Sequence, residues 1–260
     1  MYKSTIFNLT GKTAIVTGGL GYLGKSFVNI LSKAGANVVI ASRNVKKHDD
    51  HLHSMGKNTI AISFDLTNEK SIANLVKLTV KQFGNIDILI NNAINITVPS
   101  INEATKDDFF LAFDTSVYAY FALSREAYRY MVKNNGGSII NIASMYGIVA
   151  SYPSVYEGLP FKSPATYHAA KGGLIQLTRH LAAYWAKDNV RVNCISPGAF
   201  PNVGEGEDWD EFVKRLNSKI PLGRVGTPDE LEGMILLLAS KAGSYITGQN
   251  IVIDGGWTCW

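Results

Sequence analysis

The segment Ile15–Ser26 reads IVTGGLGYLGKS. A β-branched run stops at Thr17, glycines follow at 18, 19 and 21, and a stretch of helical period opens at Tyr22. Glycine lets the chain turn tightly and bring its backbone close to a bound group. A helix opening directly after such a turn aims unpaired amides and the positive end of its dipole at whatever sits there. A pyrophosphate suits that cradle. Glycine turns also serve structure alone, so the weight comes from the position of this one, between the first strand and the first helix. Gly18, Gly19, Gly21, Tyr22, Leu23 and Gly24 are therefore candidate dinucleotide contacts.

The same rhythm runs along the whole chain. Short β-branched runs recur as TAIVT, NVVIA, TIAISF, IDILIN, SIINIA, VRVNCIS and NIVID. Each is apolar nearly throughout, as strands buried on both faces must be. Between them lie segments such as YLGKSFVNILSKAG, apolar at Leu23, Phe27, Ile30 and Leu31 and closing on Gly35. KSIANLVKLTVKQFG closes on Gly84 in the same way. Alternating strands and helices predict an α/β, doubly wound parallel sheet of about seven strands with helices on both faces. Right-handed crossovers then bring every strand's C-terminal end to one edge, where ligands bind.

Composition narrows the function. The 260 residues carry 25 Lys and Arg against 21 Asp and Glu, a net charge of +4, with the basic residues scattered. That pattern predicts neither nucleic acid nor an anionic membrane as a partner. No apolar run approaches the roughly 18 residues of a membrane span, and MYKSTIFNLTGK lacks the apolar core of a signal peptide. Cys194 and Cys259 form no metal-ligand or redox spacing. The expectation is a reduced, cytoplasmic protein without a metal.

Chemistry concentrates near SVYEGLPFKSPATYHAAKGG. It holds Tyr156 and Tyr167, and only Tyr167 has a lysine four residues on, Lys171 in YHAAK. Positions i and i+4 share a helix face. A phenol with a pKa of about 10 is a poor base near neutrality, and a neighbouring ammonium favours the phenolate. Ser144 ends the SIINIA strand on the ligand edge, where its hydroxyl can hold a substrate oxygen. A Tyr/Lys pair at this spacing also arises by chance. Its register carries the argument, with Ser144 upstream and RVNCISPG one helix downstream.

Taken together, LTGKTAIVTGG, Asp65 after the third strand, NNA at Asn91 to Ala93, Ser144 in NIASMYG, Tyr167-x-x-x-Lys171, RVNCISPG, IPLGRVGTPDE and YITGQNIVIDGG resemble the short-chain dehydrogenase/reductase family nearly end to end. The resemblance implies a single Rossmann-like domain over residues 1–260, a nicotinamide cofactor, and a homodimer or homotetramer. It implies catalytic roles for Ser144, Tyr167 and Lys171, with Lys171 also on the nicotinamide ribose. It also implies cofactor contacts from Asp65, Leu66, Asn92, Ala93, Tyr167, Lys171, Pro197, Gly198, Phe200 and Asn202.

Three positions depart from the family pattern. Tyr22 stands where the second glycine usually falls, so that TGGLGYLG looks like the extended branch of the family while the remaining motifs are of the classical type. The helix asparagine that supports the lysine through water falls on Ser116, counted here as catalytic. The threonine after PG falls on Asn202, which can still bond a carboxamide.

Cofactor choice turns on NVVIASRN. An NAD-selective member carries an acid at the position of Ser42; here Arg43 follows, and arginine pairs well with a 2′-phosphate. NADP(H) is expected, with NAD(H) as the other possibility. The interval from Ser144 to Tyr167 is longer than the family usually carries and forms an insert near residues 150–164 with Pro153, Gly158, Pro160 and Pro164, composition that argues against regular structure. Long loops of this kind are usually functional. Tyr152 and Tyr156 are expected to line the substrate beside Ser144 and Tyr167, with use of the insert in subunit packing as the other reading. A substrate lid is expected near residues 201–220.

The expected function is interconversion of a small-molecule carbonyl and a secondary alcohol, NADP(H)-dependent, on a polar or sugar-like substrate. The alternatives are reduction of a 3-oxoacyl thioester and a non-catalytic dinucleotide sensor.

Overall fold

The computed structural model describes residues 5–45 and 58–259. Seven strands, β1 Thr13–Thr17, β2 Asn37–Ser42, β3 Thr59–Ser63, β4 Ile88–Asn91, β5 Gly137–Ile142, β6 Val190–Pro197 and β7 Asn250–Ile253, form one parallel sheet in the order β3-β2-β1-β4-β5-β6-β7. Each lies within two residues of the run that predicted it. The chain changes direction across the sheet between β1 and β4, which pair through Ile15 and Leu89. That reversal opens a crevice above the strand ends.

β1 and β4 are buried at every residue because helices cover both faces. On one face Ile15, Leu89 and Ile139 meet Leu75 and Val76 of α2 (Glu69–Phe83), Leu123 of α4 (Ala119–Lys133) and Leu181 of α5 (Ala165–Trp185). On the other, Val16, Ile40 and Ile90 meet Phe27 and Leu31 of α1 (Tyr22–Lys33) with Ile235 and Leu238 of α7 (Glu232–Ala239). Burying each such side chain stabilises by about 1.5–3 kcal/mol. β3 and β7 are only half-buried. They are the sheet edges, each with one neighbour, so full burial was the wrong expectation there.

Local signals set the ends of the helices. Asn68 caps α2 by accepting from the Lys70 and Ser71 amides, and Gly84 closes it in the left-handed region at φ 82°. A Thr105/Asp108 capping box starts α3 (Lys106–Phe113), which passes through a π-helical turn, Asp114–Tyr118, into α4. Such turns frequently mark functional positions, and this one holds Ser116.

A third apolar cluster lies off the sheet. Met145, Val155, Phe212, Leu216, Ile220 and Trp257 join the insert near 150–164 to α6 (Glu207–Asn217), which occupies the expected lid. The insert contains one helical turn, Pro153–Tyr156, where no regular structure was expected. Pro153 stands at its first position, where the missing amide costs nothing.

Candidate active site

A cleft of about 420 Å³ opens over the C-terminal ends of the central strands. Gly18, Gly21, Tyr22, Leu23, Ser42, Arg43, Leu66, Asn92, Ala93, Ser144, Tyr167, Lys171, Pro197, Gly198 and Phe200 line it, as expected of a common site. Gly19, Gly24, Asp65, Ser116 and Asn202 are not in its lining. Ala41, Phe64, Ile94, Ile142 and Ala143, which sequence reasoning passed over, are. The signal for them was present: each lies within two residues of a chosen residue near a strand end.

The glycine turn is built for close approach. Gly18 has φ +65°, a conformation that favours glycine. A side chain at Gly24 would put its Cβ 2.1 Å from the Gly18 carbonyl, so α1 can sit on the turn only with glycine there. Gly19 faces Val28 and Ile40, and a Cβ would lie 3.0 and 3.1 Å from them. Gly19 and Gly24 thus hold the cradle's shape from behind. Asn92 ties the turn to β4, with its amide nitrogen donating to the Thr17 carbonyl at 2.9 Å. Gly21 caps α1 without a side-chain bond, and the first amides of α1 keep no such partner. A free helix N-terminus behind a turn of glycines fits a pyrophosphate.

At the adenosine side, Ser42 ends β2 and Arg43 follows, exposed. The Asp65 carboxylate is committed elsewhere, accepting from the Thr67 amide at 3.0 Å and hydroxyl at 2.8 Å. These bonds, with a smaller contribution from Arg43, hold its pKa below the usual carboxylate range.

At the reacting end, Ser144 is buried and lines the cleft with Tyr167, its hydroxyl accepting from the Tyr146 amide at 3.1 Å. Tyr167 keeps part of its surface open to the cleft, yet protein surrounds its phenol on the remaining sides. Burial raises its pKa above that of a free phenol; the neighbouring Ser144 hydroxyl works against that, and the nearby Tyr156 adds to it. Lys171 is buried and donates to the Ile142 carbonyl at 2.7 Å. Burial pushes its ammonium down to about 7, partly offset by Cys194. The expected lowering of the tyrosine pKa by lysine is therefore corrected. The lysine is only partly charged at neutrality and stands 5.6 Å over the ring, so desolvation of the phenol wins. Ser116 is buried in the π-helical turn, and its Oγ has no hydrogen-bond partner among the described residues.

Tyr152 and Tyr156 stand differently from the wall expected of them. The Tyr156 ring packs on Phe212 at 5.5 Å and that of Tyr152 on Trp257 at 5.4 Å. Their aromatic faces are spent on the roof between insert and lid. The Tyr156 hydroxyl instead meets the Tyr146 hydroxyl at 2.7 Å. Asn202 is exposed just past β6, beside the lid.

Residues 22–258 match the family model described as Enoyl-(Acyl carrier protein) reductase. The chain is 36% identical over 259 residues to a tropinone reductase homolog of Arabidopsis thaliana, covering 97% of this chain and 94% of that one. It resembles the crystal structure of a short-chain type dehydrogenase/reductase from Mycobacterium marinum with a TM-score of 0.88 and 32% identity, over 100% of both chains. A provisionally assigned gluconate dehydrogenase from Agrobacterium tumefaciens gives a TM-score of 0.85 and 31% identity, over 97% of this chain and 98% of that one.

Proposed function

The chain belongs to the short-chain dehydrogenase/reductase family, and from that premise we propose that it is an NADP(H)-dependent enzyme interconverting a carbonyl and a secondary alcohol on a polar or sugar-like substrate. Membership makes it an NAD(P)-dependent oxidoreductase acting on CH–OH groups. The cofactor preference, the substrate and the Tyr/Lys/Ser mechanism are our reading.

The observation that carries it is the convergence of Ser144, Tyr167 and Lys171 in the same cleft as the glycine turn. A bound nicotinamide cofactor supplies or accepts the hydride. The Gly18–Gly21 turn and the amides opening α1 would hold its pyrophosphate, Ser42 and Arg43 its adenosine ribose, and Lys171 its nicotinamide ribose. Ser144 holds the substrate oxygen. Tyr167, its proton retained by burial, donates that proton as negative charge develops on the oxygen. In the alcohol-oxidising direction the same phenol oxygen takes the proton back. Lys171, with a pKa near neutrality, is suited to resupply it.

NADP(H) is favoured because Arg43 lines the cleft and makes no salt bridge among the described residues, while the matching acid is replaced by Ser42. A 3-oxoacyl thioester is less well supported. The lid's basic groups are engaged: Lys214 and Arg215 pair with Glu211 at 3.5 and 2.8 Å, and Lys219 sits 5.1 Å over the Tyr152 ring. That leaves little free positive charge for a pantetheine arm.

Assembly as a homodimer or homotetramer belongs to the same proposal. Phe110 and Phe113 of α3 and Tyr118 of the π-helical turn are exposed around one apolar groove, Phe110 at 60%, and Tyr184 of α5 is exposed as well. Such an apolar surface is typical of an interface. No helix among the described residues is long and apolar enough to cross a membrane.

The test is loss of reduced-cofactor absorbance with a panel of ketones and hydroxyketones, with NADPH and NADH compared. Tight NADPH binding without turnover on any of them would support the non-catalytic alternative.

A further inference from the structure

Lys171 is a buried cation with few partners. An ammonium offers three protons, and among the described residues it makes one hydrogen bond, to the Ile142 carbonyl at 2.7 Å. It makes no salt bridge among them. Two rings face it instead. Its Nζ stands 5.6 Å over the Tyr167 ring and 5.7 Å over that of Tyr120. Both lie within the roughly 6 Å over which the negative face of a ring attracts a cation. Tyr167 is the candidate reacting phenol. Tyr120 has no place in the cleft lining and no role in the chemistry so far described.

Tyr120 is held firmly where it stands. It is buried, packed with Ala143, Leu174, Ile175 and Cys194. Its hydroxyl donates to the Ala93 carbonyl, just past β4, at 3.0 Å. Ala93 lines the cleft, so this one side chain touches both the lysine and the end of the strand that borders the glycine turn. The π-helical turn Asp114–Tyr118 aims it. Such a turn holds one residue more than an α-helical turn, which rotates the register that follows by about 100°. α4 begins directly after it, with Tyr120 toward Lys171 and Phe121 in the apolar groove with Phe113 and Tyr118.

The groups that surround the ammonium carry no full negative charge near neutrality. Burial raises the pKa of Tyr167 on its own helix and of Tyr120 on α4. On β6 the Cys194 thiol, which partly offsets the cost of burying the lysine, is itself pushed up to about 11. On β5 Ile142 gives only its carbonyl. We propose that Tyr120 is a positioning residue whose ring face holds the buried Lys171 ammonium in its charged form. Its effect on turnover rests on the proposed role of Lys171; the contact between ring and ammonium does not.

The test compares Tyr120→Phe with pentafluorophenylalanine at the same position. Both keep a buried aromatic ring of similar size, and only the first keeps the negative face, which fluorine withdraws. Urea midpoints are read between about pH 5 and about pH 8.5, with Lys171 present and in Lys171→Met, so that the difference isolates the lysine. In wild type and in Tyr120→Phe the lysine's contribution is expected to fall with decreasing pH and to level off at its folded pKa of about 7. With the fluorinated ring it is expected to go on falling for about half to one and a half pH units more, the worth of a desolvated ring–cation contact. Levelling at the same pH in both proteins, or already lower in Tyr120→Phe, overturns the proposal. If the fluorinated protein does not fold, Tyr120→Leu set against Tyr120→Phe gives the same reading. Where a ketone is turned over, the acid-side inflection of kcat is expected to move down with the fluorinated ring and to stay in Tyr120→Phe. An inflection that stays while the stability window moves removes Lys171 from the proton path and upholds the contact. If no ketone is turned over, the catalytic reading has failed, and the stability window alone decides the contact.

Discussion

Arg215 on the lid helix donates to the backbone carbonyl of Glu157 in the insert at 2.6 Å, and to that of Ser154 at 3.3 Å. The guanidinium thus links two segments 58 residues apart. Around it Phe161 of the insert packs on Trp209 at 4.4 Å and on Phe212 at 4.6 Å. The insert is the seat on which α6, the helix proposed as a substrate lid, rests. Arg215→Ala is expected to raise KM for the substrate several-fold and to speed proteolytic cleavage within 201–220, while NADPH affinity stays near wild type. Steady-state kinetics, limited proteolysis and cofactor titration check this together; weakened NADPH binding of similar size would count against it.

Tyr167→Phe is expected to lower kcat by about 10²–10⁴-fold, the usual worth of acid–base catalysis, with cofactor binding retained. Tyr156→Phe is expected to leave a substantial rate, since its hydroxyl meets that of Tyr146. A Tyr167→Phe enzyme keeping more than about a tenth of kcat would assign proton transfer to another group.

The buried Lys171 makes stability depend on pH. Its folded pKa is held down to about 7, against 10.5 for the free group. Between these values the unfolded chain binds a proton that the folded chain does not, so stability rises with pH through that window. The cost of burying the ammonium is fully present below pH about 7 and amounts to a few kcal/mol. Lys171→Met is therefore expected to be more stable than wild type at pH 6.5, with the difference shrinking by about pH 8.5. Urea midpoints at several pH values below 9 read this, below the range where Cys194, raised by burial to about 11, begins to act in the opposite sense. A difference independent of pH would contradict the assignment.

Arg43 is expected to contribute about 1.5–3 kcal/mol to the preference for NADP(H), the range for a charge-assisted bond. Arg43→Ala then costs roughly ten- to a hundredfold in kcat/KM for NADPH and little for NADH. Ser42→Asp with Arg43→Ala is expected to reverse the preference. Equal kcat/KM for the two cofactors in the unaltered enzyme would remove the basis of this assignment.

The sheet was legible in sequence because it is assembled from local signals. Runs such as TAIVT and SIINIA are long enough to bury and too short for helices, and Gly35 and Gly84 mark helix ends through their own backbone freedom. The glycine turn was legible for the same reason, as were Ser144, Tyr167 and Lys171, whose register along strand and helix is a property of sequence spacing. What could not be read there was direction and partnership. Tyr156 was expected to offer its face to a substrate; its face went to Phe212 and its hydroxyl to Tyr146, because a helix more than fifty residues further along the chain folded back over it. The tyrosine–lysine pair suggested an easily ionised phenol, yet burial, a property of the assembled core and not of spacing, raised one pKa and lowered the other. Local sequence determined the elements, their order and the side chains delivered to one edge. Only tertiary packing decided how dry that edge is and which hydroxyl faces which, because desolvation and hydrogen-bond pairing depend on neighbours distant in the chain.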